Sequence, residues 1–495
     1  MKDFGDRVSE PLTVVPSMVT YIGYHAAQRP DDTAVLINGQ AITYGAFYRD
    51  IARMVAALRE FELGPGHTVG IEHRNLYLHW LLLMALEALG VLTLSFDQGE
   101  IPFIEETLVD MDLILCTPEQ QLPDCKRVHA LEQSWFDGVM TREPESPLQI
   151  APISADMPLR IVKSSGTTGS LKQMVHSGQV FNFVLEQVQF RIGFTRGSRY
   201  ILVGGFNIQA YQYHASACIR MGGICVIGDP ENFAQSLSKS AITHATFLPH
   251  TLIDVLDRLP ENYVKAPDLT IITIGAPVSV AVRDRVKREL ANDLMETYAT
   301  NETATICVIN DNREGTVVPG VQAEVVDDDG NPVFGVPGLV RIKSRGCVTG
   351  YLNDAEATKR MFRDGWFYPG DVAIMKNPNS LTLIGRADDL LNVRGFKFAP
   401  QELEEQLLNT LPVNDLCLTV IADGDGIDQV FIVVVNKKSE FDDGTTKKIM
   451  SFLPDYFGDV IVVSVTKIPR TATGKIQRQL LKQTLQQQIN ARPAL

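Results

Sequence analysis

The run IVKSSGTTGSLK, Ile161 to Lys172, sets more conditions on the fold than any other stretch of the chain. Apolar residues lead into Ser164, Ser165, Gly166, Thr167, Thr168 and Gly169, a segment that is nearly all backbone amide and hydroxyl, and Lys172 closes it. Glycines let successive N–H groups converge on one oxyanion, hydroxyls add donors and a lysine adds a mobile charge, so this composition suits a polyphosphate. An ordinary Ser/Gly/Thr surface turn fits the same residues. The Walker loop does not, because Gly166 and Gly169 stand too close together and Lys172 follows Leu171 instead of a glycine.

The rest of the chain limits what such a loop can serve. With 495 residues, 45% of them hydrophobic and 21% charged, the chain can build two or three cores. Its net charge of -14 and the lack of any basic block argue against nucleic acid or an anionic membrane surface as partner. Seven scattered cysteines with no C-x-x-C pair point to a reducing compartment, with neither a disulfide framework nor a zinc site. The N-terminal MKDFGDRVSE has no apolar signal region, so a cytoplasmic location is expected. Leu78 to Phe96 is long enough to raise a membrane reading. However, Glu87 lies in its middle and Gly90 divides it, which fits a buried helix running into a buried strand.

Strand and helix patterns alternate from Pro16 to about Leu290, which predicts an α/β fold with a largely parallel sheet covered on both faces. Thr117 to Pro158 reads as irregular and rich in Pro, Glu and Asp, and Ser177 as the N-cap of a helix reaching about Phe190. From Val317 to Ile384 short strands and turns such as DDDGNP predict a β-rich subdomain. GRADDLLNVRG, Gly385 to Gly395, has the look of a hinge. The expected division is therefore a large domain over residues 1–385 and a small, mobile α+β domain over residues 386–495.

Six stretches in order carry a resemblance: SSGTTGSLK (Ser164 to Lys172), GAP (Gly275 to Pro277), YATNE (Tyr298 to Glu302), GWFYPGD (Gly365 to Asp371), GRADDLLNVRG and PRTATGKIQR (Pro469 to Arg478). Together they resemble the adenylate-forming superfamily of acyl-CoA synthetases, aryl-CoA ligases, peptide-synthetase adenylation domains and luciferases. The resemblance implies attack of a carboxylate on the α-phosphate of ATP to give an acyl adenylate and pyrophosphate. Site roles then follow by position. Ser164 to Gly169 and Lys172 would hold the β and γ phosphates, and Glu302 would bind Mg²⁺, which takes one carboxylate plus phosphate oxygens. Tyr298 would stack on adenine, with Gly275, Ala276 and Pro277 along the base. Asp371 would accept the ribose hydroxyls and Arg386 would contact ribose and phosphate. Lys475 would bridge the carboxylate and the α-phosphate, Asp388 would be the pivot, and Gly395 the glycine past which a pantetheine thiol approaches. Asn301 and Ala299 depart from the usual Thr and Gly of the YGxTE motif, and Leu171 from the usual Pro.

Amino-acid-activating members place an Asp in the segment matching Tyr200 to Gly222, and this one contains no Asp or Glu. The resemblance therefore implies an acid without a free α-amine, read by Phe206, Asn207 and Tyr211, whose positions match the FHIYGL run. For Asn207, a core Asn satisfied by backbone fits as well as a substrate contact. His214 and His250 are both expected as satisfied core histidines. The acceptor would be coenzyme A or the phosphopantetheine of a carrier protein acting in trans. Two other readings stand beside this one: a standalone adenylation enzyme feeding an amino acid to a peptide-synthetase carrier, and a non-catalytic nucleotide-binding homologue.

Overall fold

A computed structural model describes residues 14–165, 171–228, 233–393, 396–398, 400–411, 413, 415–422, 428–435, 449–453, 457, 460–470 and 476–490. Two sheets organise the first three hundred residues. One has the strand order Leu171–Ser177, Pro158–Ser165, Leu92–Ser95, Thr68–Glu72, Leu113–Cys116 and Val128–Ala130, parallel throughout except for its first member. The other has a parallel half made of Thr33–Ile37, Ile224–Ile227, Arg199–Leu202, His244–Phe247, Ala266–Thr273 and Ala291–Thr300. At Ala304–Ile309 that sheet turns antiparallel, and it continues through Gly315–Val317, Ser380–Arg386, Asp371–Asn377 and Pro337–Ser344. The predicted switch from α/β to β-rich structure is thus a change of direction within one sheet.

Parallel strands are buried on both faces, which is why they read as apolar runs such as LILC and ICVI. The helices Met18–Gln28, Tyr44–Leu58, Leu76–Ala88, Gly178–Ile192 and Gln209–Arg220 contribute to the largest core, along with strand residues Val69, Ile71, Tyr200 and Leu202. Ser177 caps Gly178–Ile192 as expected, its hydroxyl accepting from the Val180 N–H at 3.4 Å. Thr117 to Pro158 is more regular than expected, with the strand Val128–Ala130 and the helix Gln133–Met140. Trp135, Phe136, Val139 and Met140 pack this helix on the main core, and a face of four apolar residues is too short to stand out among polar neighbours.

Glu87 explains the segment that raised the membrane reading. The Leu76–Ala88 helix is buried along nearly its whole length, and among the described residues no helix is long and apolar enough to cross a membrane. Glu87 is 0% exposed. One of its carboxylate oxygens accepts from the Met18 N–H at 2.7 Å and the other from Arg160 Nη2 at 2.5 Å, while Arg160 Nη1 donates to Leu159 O at 2.9 Å. Arg160 belongs to Pro158–Ser165, the strand that enters the Ser/Gly/Thr loop.

Beyond Arg386, a three-stranded sheet of Asp415–Ala422, Asp428–Val435 and Val460–Val465 packs with the helices Pro400–Thr410 and Arg478–Asn490 around its own apolar clusters. Inside it, Arg478 donates to both oxygens of Glu404, at 2.6 and 2.7 Å, and its Nε lies 3.8 Å from Asp389. Glu405 reaches back to the large part of the chain, accepting from the Val280 N–H at 2.7 Å and from Arg313 at 3.3 Å.

Removing one partner of a buried ion pair leaves an uncompensated charge, which costs about 3–5 kcal/mol. Glu87→Ala is expected to lose stability of that order in urea denaturation, whereas the double change Glu87→Leu with Arg160→Met recovers most of it. Equal stability of Glu87→Ala and the parent would refute this role.

Candidate active site

The Ser/Gly/Thr loop connects two antiparallel strands whose register pairs Ser165 with Leu171 and Ser164 with Lys172. Lys172 is therefore fixed directly across the hairpin from the first serine of the run. Gly166, Thr167, Thr168 and Gly169 lie outside the described residues, as do Gly395 and Lys475.

Lys172 and Glu302 converge on one aromatic ring. Glu302 sits in the tight turn between Ala291–Thr300 and Ala304–Ile309, a turn in which Ala304 takes a left-handed φ of 68°. Its carboxylate is buried and accepts from the Tyr351 hydroxyl at 2.9 Å. Lys172 Nζ stands 5.0 Å from the centre of the Tyr351 ring and donates to Met361 Sδ at 3.0 Å. Burial holds its ammonium below the usual lysine range, aided by Arg360 and opposed by Glu302. Tyr351 is placed by backbone on both sides: Val348 N–H donates to Glu302 O at 2.9 Å and Leu352 N–H to Gln173 O at 2.7 Å. A single tyrosine thus holds a cation and a carboxylate apart.

A second cluster forms where three strand ends meet. The Tyr298 hydroxyl donates to Asp371 Oδ2, and Arg386 Nη1 donates to Asp371 Oδ1 at 3.2 Å and to Pro369 O at 2.6 Å. Burial, then the Asp371 charge, pushes the Tyr298 phenol well above its ordinary value, so it stays a donor. An ionised carboxylate accepts about four hydrogen bonds, so Asp371 keeps capacity for a vicinal diol. Gly370 has φ +82°, and a Cβ there would stand 3.2 Å from the Arg386 guanidinium. Arg386 Nε is buried with no partner among the described residues. Gly275, with φ +87°, turns the chain out of Ala266–Thr273, and Gly275 and Pro277 are exposed beside a half-buried Ala276.

Asn301 joins the clusters to the loop. Its amide donates to Lys163 O at 2.7 Å, and its own carbonyl bonds His176 Nε2 at 2.7 Å. His176 Nδ1 in turn meets the Tyr213 hydroxyl. Lys163, which was not singled out in the sequence, is enclosed and donates to Ser95 O at 2.7 Å and to Glu100 at 2.5 Å. Burial lowers its pKa against the pull of Glu100. Nothing in a lone Lys before two serines signals this. Tyr351 was missed for a similar reason, since TGYLND reads as a turn.

The expected acid-reading residues fall differently. Phe206 is 1% exposed and packs against His79 and Trp80 as core. Tyr211 is buried against Gly204, where any Cβ would stand 2.2 Å from the Tyr211 ring. Asn207 is half-buried, and its amide donates to a side chain, Asp97 Oδ2, at 2.8 Å. His214 is the core histidine expected, sharing a 2.7 Å bond with Thr246 Oγ1. His250 is exposed on the first turn of Pro249–Asp257, because the strand before it ends at the rim of the sheet. Asp388 is exposed in the short 3₁₀ turn Ala387–Asp389.

The family model described as AMP-binding enzyme matches residues 23–352, two thirds of the chain. The chain belongs to that family. The motifs that resemble the adenylate-forming superfamily are therefore those of a member. Among curated relatives, the 4-coumarate--CoA ligase-like 4 of Oryza sativa subsp. japonica is 23% identical over 521 residues, covering 95% of this chain and 94% of its own. Bacitracin synthase 3 of Bacillus licheniformis is 25% identical over 486 residues, covering 92% of this chain, which spans 7% of that protein. The crystal structure of the anthranilate CoA ligase AuaEII in complex with anthranoyl-AMP superposes with a TM-score of 0.83 at 19% identity, over 96% of this chain and 98% of that one. At that identity the likeness concerns the fold. Asp371 and Arg386 lie beyond the matched residues, so their place in this AMP-binding enzyme rests on the geometry above.

Two outcomes are expected. Tyr351→Phe removes a hydrogen bond to a charged carboxylate, a loss of about 1.5–3 kcal/mol, so ATP–pyrophosphate exchange should fall about tenfold or more; an unchanged rate and Mg²⁺ requirement would count against the arrangement. Burial also holds His79 and His176 at about 4, below their ordinary 6.5. The unfolded chain therefore binds these two protons more readily than the folded one. Their contribution to stability is complete above about pH 6.5 and is lost as pH falls towards 4, by up to about 3 kcal/mol each. Melting temperature should drop across that window, and less so in His176→Asn; an identical pH profile for the variant would exclude this origin.

Proposed function

We propose that this AMP-binding enzyme is an ATP-dependent carboxylate–thiol ligase. It adenylates a carboxylic acid lacking a free α-amine, releases pyrophosphate and passes the acyl group to the phosphopantetheine thiol of coenzyme A or of a carrier protein in trans. The observation that carries the reading is the pairing of Lys172 and Glu302 across Tyr351 at the base of the phosphate loop. A cation for phosphate oxygens and a carboxylate for Mg²⁺ are what a polyphosphate-cleaving site needs at one place.

Bound ATP with Mg²⁺ supplies an electrophilic α-phosphorus and a pyrophosphate leaving group. Lys172 would offset charge on the leaving phosphates, and the hydroxyl of Ser164 would donate a hydrogen bond to them. Tyr298 and the Gly275–Pro277 turn would hold the base, and Asp371, oriented by Tyr298 and Arg386, would take the ribose hydroxyls. Lys475 would steady the charge developing between the acid and the α-phosphate, arriving by closure of residues 386–495 about Asp388. After rotation of that unit, Gly395 would border the path of the thiol.

One observation favours the amino-acid reading as a second possibility. Although Tyr200 to Gly222 has no acidic residue, the fold brings Asp97 against Asn207. That carboxylate therefore borders the segment in which amino-acid-activating members place their Asp. An exchange panel of aliphatic, aryl and amino acids separates the two: turnover confined to α-amino acids would overturn the leading reading. Lys475→Ala is expected to lower pyrophosphate release on the order of 10²-fold or more, as removal of an electrostatic stabiliser does. Equal, measurable release by parent and variant would remove Lys475 from the mechanism, and silence of the parent with every acid would favour a non-catalytic homologue.

A further inference from the structure

The helix Pro400–Thr410 faces two ways. Leu403 and Leu407 enter the apolar core of the C-terminal part, and Glu404 takes the Arg478 guanidinium there. Gln401 and Glu405 lie one helical turn apart on another face, which meets the large part of the chain. A Cβ on Gly385 would stand 3.0 Å from Gln401 Oε1, so the first turn of the helix lies against the end of Ser380–Arg386. One turn further on, Glu405 uses both carboxylate oxygens. Oε1 accepts from the Val280 N–H at 2.7 Å and Oε2 from Arg313 Nη1 at 3.3 Å.

Both donors are fixed by the large part itself. Ser279 caps Val280–Arg285, its hydroxyl accepting from the Val282 N–H at 3.2 Å, and the Val280 N–H has no partner inside its own helix. Arg313 has a left-handed φ of 62°, a backbone that residues other than glycine rarely adopt. Its turn is closed by Arg313 N–H to Asn310 O and Asn310 N–H to Glu314 O, each at 3.0 Å. The contact also leads to the base site through bonded residues. Val280 follows Pro277 by three positions, with Val278 buried between them. From the same short helix, Arg283 pairs with the buried Glu296 on Ala291–Thr300, and Tyr298 lies two residues further along that strand, on the same face.

We propose that Glu405 is a positioning residue, a detachable clasp that holds the C-terminal part in one of the two orientations required by the two half-reactions. A carboxylate shared between a backbone amide and an exposed arginine stabilises one orientation, yet it is weak enough to let go in each turnover. The assignment rests on the carboxylate–thiol ligase reading, in which residues 386–495 turn between adenylation and transfer, and it names a contact that sets the balance between those steps.

The test measures two rates on the full chain, with whichever acid of the exchange panel the parent turns over fastest. ATP–pyrophosphate exchange reports adenylation, and thioester formation on coenzyme A or pantetheine reports transfer. Glu405→Ala should change the ratio of the two rates about fivefold, the scale of one partly exposed hydrogen bond to a charge. Arg313→Ala should move the ratio in the same direction by less, and Glu405→Gln, which keeps an acceptor, should fall between the parent and Glu405→Ala. Gln406→Ala, the exposed neighbour on the same helix, should leave it unchanged. An unchanged ratio in Glu405→Ala, including an equal drop in both rates, would overturn the assignment. Deuteration of the Val280 amide reads the clasp without turnover and should be about fivefold faster in Glu405→Ala; an unchanged rate would also overturn it. If the parent is silent in adenylation or in transfer, the ligase reading fails and the Val280 amide alone decides the clasp, faster deuteration supporting it and an equal rate refuting it. Thermal melts of each variant distinguish a lost contact from a lost fold.

Discussion

The contact between Glu87 and Arg160 ties the fold to the chemistry. It joins the most enclosed helix of the large part of the molecule to the strand that leads into the Ser/Gly/Thr run, and through the Met18 amide it also anchors the first helix. A charge placed there is costly unless it is fully bonded, and both carboxylate oxygens are. The strand's position and register are thereby fixed at one end by a buried ion pair, and at the other by Lys163, which bonds Ser95 O and Glu100. The two strands that flank the segment between Ser165 and Leu171 are thus held in a rigid frame, which the phosphate-binding role proposed for that segment would require.

Two tyrosines organise what lies around that frame. Tyr351 bonds Glu302 and faces Lys172, and Tyr298 bonds Asp371 beside Arg386. In each case a phenol stays protonated because burial and a neighbouring carboxylate oppose its ionisation. Each keeps its carboxylate oriented while leaving it acceptor capacity. Asn301 and His176 link these clusters to the strand pair, which relates the departure from the usual Thr at that position to a definite contact with Lys163 O.

Much of this was legible in the sequence where the signal is local. The α/β rhythm, the Ser177 cap and the buried nature of Leu78 to Phe96 follow from periodicity and capping chemistry. The motif residues Lys172, Tyr298, Glu302, Asp371 and Arg386 follow from resemblance, and the fold gathers them into two neighbouring clusters. Contacts between residues far apart in the chain were not legible. Tyr351 lies in a turn-like run, Lys163 reads as a stray cation, and Asp97 meets Asn207 across 110 positions. The absence of an acidic residue in Tyr200 to Gly222 was a correct observation about a segment, but a site is assembled in space. His250 misled for a related reason: a histidine after an apolar strand reads as core, yet the strand's end is where the chain surfaces.

The register of the hairpin also bears on how the loop can vary. Lys172, Met174 and His176 point to the same face of Leu171–Ser177, because side chains alternate along a strand. Lengthening or shortening the tip between Ser165 and Leu171 leaves that alternation untouched. A single residue inserted between Lys172 and Met174 would send the lysine to the opposite face or drag Met174 and His176 out of the interior. Natural or engineered diversity in this hairpin should therefore collect at its crown, with the arms held at constant length.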